Sequence, residues 1–210
     1  MPGFRLIAGL GNPGPEYART RHNAGAWLVE DWVQRLSGRW TSETRLHGRL
    51  ARWQSATLDV RFLLPDTYMN RSGLAVLSAA SYFKILPQEI LIVHDELDLP
   101  AGQIRFKTGG GHGGHNGLKD IIQSLGQQAG FSRLRVGIGR PAQTETPQQT
   151  GKAPTDNTRV VDYVLGQPSQ AELQSIHHAS ERCLDHADLL LQGATENFMN
   201  LLHRSPSTAS

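Results

Sequence analysis

Two side chains far apart in the chain, His22 and Asp95, have the types and settings to activate water. His22 lies near the end of the loop Gly9–Asn23, Gly-Leu-Gly-Asn-Pro-Gly-Pro-Glu-Tyr-Ala-Arg-Thr-Arg-His-Asn. Three glycines and two prolines bar regular structure there and make a rigid bend. A neutral imidazole takes a proton from water near physiological pH, best when a carboxylate fixes its tautomer and steadies the imidazolium. Asp95 follows the apolar run Ile90–Val93, and open α/β sheets present their working groups at the carboxyl ends of strands. The plainer roles are a surface or capping histidine beside Arg19 and Arg21, and an aspartate that caps a turn. Asp98 is the other candidate acid, but Leu97, Leu99 and Pro100 put it in the outgoing turn.

Three asparagines, Asn12, Asn70 and Asn116, fall at three expected strand-to-helix junctions. Helix capping alone accounts for asparagine at such places. Together, neutral amides can hold peptide carbonyls and N–H groups without demanding a particular side chain. That suits a substrate recognised by its backbone. His112 and His115 sit in the run Gly109–Gly117, which reads as a gate whose backbone N–H groups can face an anion. No metal is expected: His94, His112 and His115 offer too few clustered ligands, without cysteine, for a zinc site.

No dinucleotide cofactor is expected either. Gly9, Gly11 and Gly14 match a dinucleotide fingerprint in spacing. Pro13 and Pro15 flank the third glycine, however, and no acidic residue ends the next strand. Arg105, Lys107, Lys119, Arg133, Arg135 and Arg140 gather around the glycine run and would form a phosphate-binding stripe if they shared a face.

The elements that must position these groups alternate between strand and helix. Phe4–Leu10 reads as a buried strand, followed by a helix over Ala24–Leu36. Leu46–Trp53 and Thr57–Leu64 read as two more strands. Pro65 ends the second, and Asp66 or Thr67 is placed to cap a helix running to Tyr82 or Phe83. Ile90–Val93 and Gln103–Lys107 are further strands. Leu118–Leu125 is a helix, Leu134–Ile138 a strand, and Val160–Leu165 a last strand. Pro168–Leu191 reads as one amphipathic helix and Ala194–Leu202 as another. Pro141–Asn157, rich in Gln, Thr and Pro, reads as an exposed mobile loop. This pattern is α/β: one domain over 1–203, a twisted mixed sheet flanked by helices, with a disordered tail over 204–210.

The 210 residues, 38% hydrophobic and 19% charged with a formal net charge of +2, are ordinary for a globular protein and permit a polyanionic partner without requiring one. The one cysteine, Cys183, excludes an internal disulfide and fits a reducing compartment. No apolar run spans a bilayer, and the first residues lack a signal-peptide pattern, so the expected location is cytoplasmic.

Several segments, in order, resemble the bacterial peptidyl-tRNA hydrolase family: Gly9-Leu-Gly-Asn-Pro-Gly14 with Tyr17, Thr20-Arg-His-Asn-Ala-Gly25, Pro65-Asp-Thr-Tyr-Met-Asn-Arg-Ser-Gly73, His94-Asp-Glu-Leu-Asp-Leu-Pro100, Phe106–Lys119 and Arg133–Gly139. The resemblance implies a monomeric, metal-independent enzyme that cleaves the ester between a peptide and the 3′ ribose of tRNA. It implies His22 as the base, Asp95 as its supporting acid, and Asn12 as the group that tells blocked from free aminoacyl ends. Contacts to the peptide and the 3′ end fall on Tyr17, Tyr68, Met69, Asn70, His115 and Asn116, and contacts to tRNA phosphates on Lys107 and Arg135. The loop Pro141–Asn157 is longer than the family pattern, so no basic contact is carried over to it.

Overall fold

The computed structural model describes residues 3–141 and 156–202. Its centre is β1 (Leu6–Gly9), four residues that are all buried. A strand with neighbours on both sides and helices on both faces has no solvent side, so it is apolar throughout rather than alternating. The other strands are β2 (Thr41–Glu43), β3 (Gly48–Gln54), β4 (Asp59–Pro65), β5 (Ile90–Glu96), β6 (Ile104–Thr108) and β7 (Ser132–Gly137). They form one seven-stranded sheet in the order β2-β3-β4-β1-β5-β7-β6. β1 runs parallel to β4 and β5, and β5 runs parallel to β7. The outer pairs are antiparallel.

Side-chain alternation divides the core. Ile7, Leu91 and Val93 point to a layer holding Leu28, Val29 and Trp32 of α1 (Ala24–Arg35), with residues of α5 (Gln170–Leu184), α6 (Ala187–Leu191) and α7 (Thr195–Leu202). Leu6, Ala8, Ile90 and Ile92 point the other way, to α2 (Ser72–Phe83) and α3 (Asn116–Ser124). The parallel strands end together at one edge, and the loops leaving β1, β4 and β5 there carry the residues of interest.

α1 lies unusually close to that edge. A Cβ at Gly25 would stand 2.3 Å from the Val93 carbonyl oxygen and 2.8 Å from His94 Cα, so only glycine lets the first turn of α1 rest on β5. The same helix takes its first backbone partner from the preceding loop, through Ala26 N–H to the Leu10 carbonyl at 3.0 Å. Gly25→Ala is therefore expected to lower stability by about 1–3 kcal/mol. It should also reduce turnover beyond that loss, because His22, three residues earlier, moves with the helix. A melting curve and a turnover rate both at wild type would overturn this reading.

Several expected elements differ. Val160–Leu165 is not a strand; it belongs to α4 (Asp156–Leu165). Its β-branched residues favour a strand, but edge strand β6 is occupied by α7, with Phe106 N–H donating to Met199 Sδ, and Val160 and Val164 share a helix face turned to the site. The stretch Pro168–Leu191 divides into α5 and α6. β5 runs on through Glu96, so His94 and Asp95 lie within the strand. Neither Asp66 nor Thr67 caps α2: the Thr67 hydroxyl donates to the Arg71 carbonyl, and a 3-10 turn over Met69–Arg71 intervenes. The amide of Gly73 is met instead by the Asp120 carboxylate of α3 at 2.7 Å. Short β2, Thr-Ser-Glu, carries no apolar signal and is absent from the sequence reading. Most of the Pro141–Asn157 loop and the tail 204–210 lie outside the described residues.

Candidate active site

His22 arrives on a 3-10 turn, Arg21–Asn23, immediately before α1. Asp95 occupies the next inward position after Val93, on the same face of β5. His22 Nδ1 lies 2.9 Å from both Asp95 oxygens. A carboxylate only accepts, so Nδ1 carries the proton and the ring's lone pair is left on Nε2. His115, arriving from the α3 layer, places its Nε2 2.9 Å from Asp95 Oδ1, while its Nδ1 accepts from the Leu118 amide as the N-cap of α3. His115 thus has both nitrogens committed and cannot also serve as a base. A third imidazole, His94, donates from Nδ1 to the Asp95 carbonyl at 2.6 Å.

One carboxylate therefore sits among three rings, and their electrostatics follow from it. Burial pushes the Asp95 carboxyl up, but the charges and hydrogen bonds of His22 and His115 outweigh it and hold the group well below the usual carboxylate range. Burial pushes His22 down, and the charge and hydrogen bond of Asp95 reverse this and raise it above the ordinary histidine value. His94 is brought down to about 3, first by burial and then by the neighbouring His115. A cleft histidine whose pKa is raised by its own carboxylate is a pattern expected where a proton is to be moved.

Among the described residues, the group whose ligand atoms lie within 4.8 Å of one another is His22, Asp95 and His115. The trio weighed from the sequence, His94, His112 and His115, does not converge: His94 turns to the strand backbone, and His112 Nδ1 accepts from the Gly114 amide. Both nitrogens facing Asp95 carry protons, so a cation would have to displace two hydrogen bonds. The cleft above has a volume of about 440 Å³ and is bordered by His22, Asp95, His115, Asn116, Lys119 and the valines of α4.

The family model described as peptidyl-tRNA hydrolase matches residues 6–209. The chain belongs to this family. A peptidyl-tRNA hydrolase from Tolumonas auensis is 46% identical over 206 residues, 98% of this chain and 98% of that one. Another, from Serratia proteamaculans, is 44% identical over 97% of each. The crystal structure of peptidyl-tRNA hydrolase from Acinetobacter baumannii superposes with a TM-score of 0.85 at 44% identity, covering 96% of this chain and 95% of that one. The single mixed-sheet domain is thus the peptidyl-tRNA hydrolase fold.

The remaining residues singled out on family grounds divide in two. Asn116 lies in the cleft with His115. Asn12 borders a smaller neighbouring pocket with Gly11, Pro13 and Trp27. Its carboxamide oxygen accepts from the Met69 amide at 2.7 Å, which joins the loops after β1 and β4 and leaves its NH2 as the available donor. Met69 is buried, with its sulfur beside Gly117, where a Cβ would come within 2.6 Å of it. Tyr17 and Tyr68 meet edge to face at 6.1 Å, and Tyr68 is 55% exposed. Asn70, in the 3-10 turn that follows Tyr68, is exposed.

Arg105 pairs in register with Arg135 and Lys107 with Arg133, so four of the basic residues share one face of the β6–β7 pair. Arg135 is paired with Glu96 at 2.9 Å, Arg140 with Asp98, and Arg133 is buried. Lys107 and Lys119 stay exposed. Sequence reasoning missed Asn23, whose amide pairs with both the N–H and the carbonyl of Asn12 at 2.9 and 3.0 Å. Its only signal was its place directly after His22. Two of the three glycines with dinucleotide-like spacing lie against the start of α1: a Cβ at Gly9 would meet Gly25 and Val29, and one at Gly11 would meet Asn23 and Ala26.

Proposed function

We propose that this chain hydrolyses the ester between a peptide, or an N-blocked aminoacyl group, and the 3′ ribose of its tRNA, and so returns free tRNA to translation. The observation that carries the mechanism is the double approach of His22 Nδ1 to Asp95, which leaves Nε2 as the basic atom facing the cleft. Nε2 takes a proton from water, the hydroxide so formed attacks the ester carbonyl, and Asp95 steadies the imidazolium. The same proton then passes to the departing ribose oxygen, and neutral His22 is restored.

The NH2 of Asn12 or Asn116 donates to the developing oxyanion, a role worth about 3–4 kcal/mol elsewhere. Neutral amides suit a substrate read by its peptide backbone, with Asn12, Met69, Asn70 and Asn116 on the peptide and Tyr17 and Tyr68 as stacking surface for the 3′ end. Lys107 meets phosphate directly, whereas Arg135 does so while bridged to Glu96. In this reading the enzyme is a cytoplasmic monomer with one catalytic domain over 1–203. Among the described residues no helix is long and apolar enough to cross a membrane.

Incubation with N-blocked aminoacyl-tRNA tests the reading: free tRNA should appear, and unblocked aminoacyl-tRNA should be spared. Tight binding without release would leave an RNA-binding module instead. Exhaustive chelation is expected to leave the rate unchanged, because the nitrogens that would hold a metal are protonated toward Asp95. Loss of activity that one added metal restores would overturn that expectation.

A further inference from the structure

Arg133 stands on β7, on the same face as Ile92, and is only 3% exposed. Among the described residues it has no carboxylate at salt-bridge distance, although the charge of Glu96 acts on it from farther off. Its guanidinium lies over the Phe131 ring at 4.9 Å, and its terminal nitrogens donate to two successive carbonyls of the glycine loop, Gly111 at 2.6 Å and Gly110. A buried cation spent on main-chain oxygens needs a reason, since burying charge without a counter-charge is costly.

The peptide geometry supplies one. In a trans peptide the carbonyl of one residue and the N–H of the next point in opposite directions. Carbonyls of Gly110 and Gly111 turned in to Arg133 therefore turn the amides of Gly111 and His112 out. Neither amide has a partner among the described residues. Charge on the carbonyl side polarises each peptide and makes its N–H a stronger donor. Gly110 has φ +93°, a conformation that glycine permits, and the Lys107 ammonium lies beside it, where a Cβ would come within 3.0 Å. Two adjacent outward amides, the Lys107 ammonium and the buried Arg133 guanidinium beneath them offer donors and positive charge to an anion.

We propose that Arg133 is a positioning residue that holds the glycine loop with its carbonyls in and its amides out, so that the Gly111 and His112 N–H groups cradle a phosphate of the RNA strand entering the cleft. The phosphate's origin rests on the reading of the substrate as a tRNA ester; the cradle does not.

The test is a titration of the isotope-labelled full chain with inorganic phosphate, followed by amide resonances. In the wild type the Gly111 and His112 amides should move downfield and saturate, while chloride at the same ionic strength leaves them in place. Arg133→Met should abolish the movement with β1 resonances unchanged, and Arg133→Lys should keep part of it. With substrate, Arg133→Met should raise KM by ~10-fold and leave kcat near wild type. Wild-type amides that do not saturate, or that respond equally to chloride, would overturn the cradle, and so would an unaltered response in Arg133→Met. If Arg133→Met does not fold, the wild-type titration and Arg133→Lys decide. A collapse of kcat at unchanged KM would place Arg133 in the integrity of the reacting centre instead. Phosphate binding in a protein that releases no tRNA would preserve the cradle and refute only the assigned activity.

Discussion

With His22 replaced by alanine, single-turnover hydrolysis of N-blocked aminoacyl-tRNA is expected to fall by ~10²–10⁴-fold in a protein that remains folded. The imidazole is the group in the cleft with a basic nitrogen to spare beside the carboxylate. His115 cannot replace it, because that ring spends one nitrogen on Asp95 and the other on the Leu118 amide. The fold should survive because Asp95 keeps His115 as a donor when His22 is gone, so its buried charge is not orphaned. A near-normal rate in His22→Ala would mean that the proton leaves water by another route.

Asp95→Asn should be comparably damaging, at roughly 10²–10⁴-fold, for a different reason. Both carboxylate oxygens accept from His22, and one also accepts from His115. An amide has one acceptor atom for these donors and brings its own NH2 against the rest. The relief available to His22 is to move its proton to Nε2, which removes the lone pair that faces the water.

The pH profile distinguishes this from loss of shape. As the proposed base His22 would work when neutral, and Asp95 raises its pKa above the ordinary 6.5, so the acid limb of kcat/KM should lie above that value in the wild type. Activity rises as pH climbs through the limb. In Asp95→Asn the burial of His22 is no longer opposed, and the limb of the residual activity should shift to lower pH. An unmoved limb would detach the two residues from each other.

The central strands and the bend bearing His22 were legible in the sequence from local signals, whereas Asp95 stood against a turn-capping role and against Asp98 until the family resemblance favoured it. Glycine and proline fix the bend that carries His22, and the β-branched run Ile90–Val93 reads as a buried strand, which then places Asp95 at its end. Partners set by the third dimension were not legible. His115 stood in a glycine run read as a gate, since nothing in its neighbours tells that Leu118 N–H will fix its tautomer and aim it at Asp95. Arg133 and Arg135 alternate along β7 as surface arginines would, yet one is buried under the glycine loop and the other bridged to Glu96. Val160 and Val161 have strand-like side chains but fold as a helix, because their surroundings are the turn bearing His22 and the cleft rather than a sheet edge.

Asp95 is gripped by His22 from the α1 layer and by His115 from the α3 layer, across the end of the strand that carries it. Neither half of the molecule owns the proposed reacting centre. On the proposed mechanism, a fragment that kept the sheet with one coat of helices would retain much of its hydrophobic interior and still be inert, so catalysis would be a property that the chain acquires only on complete closure.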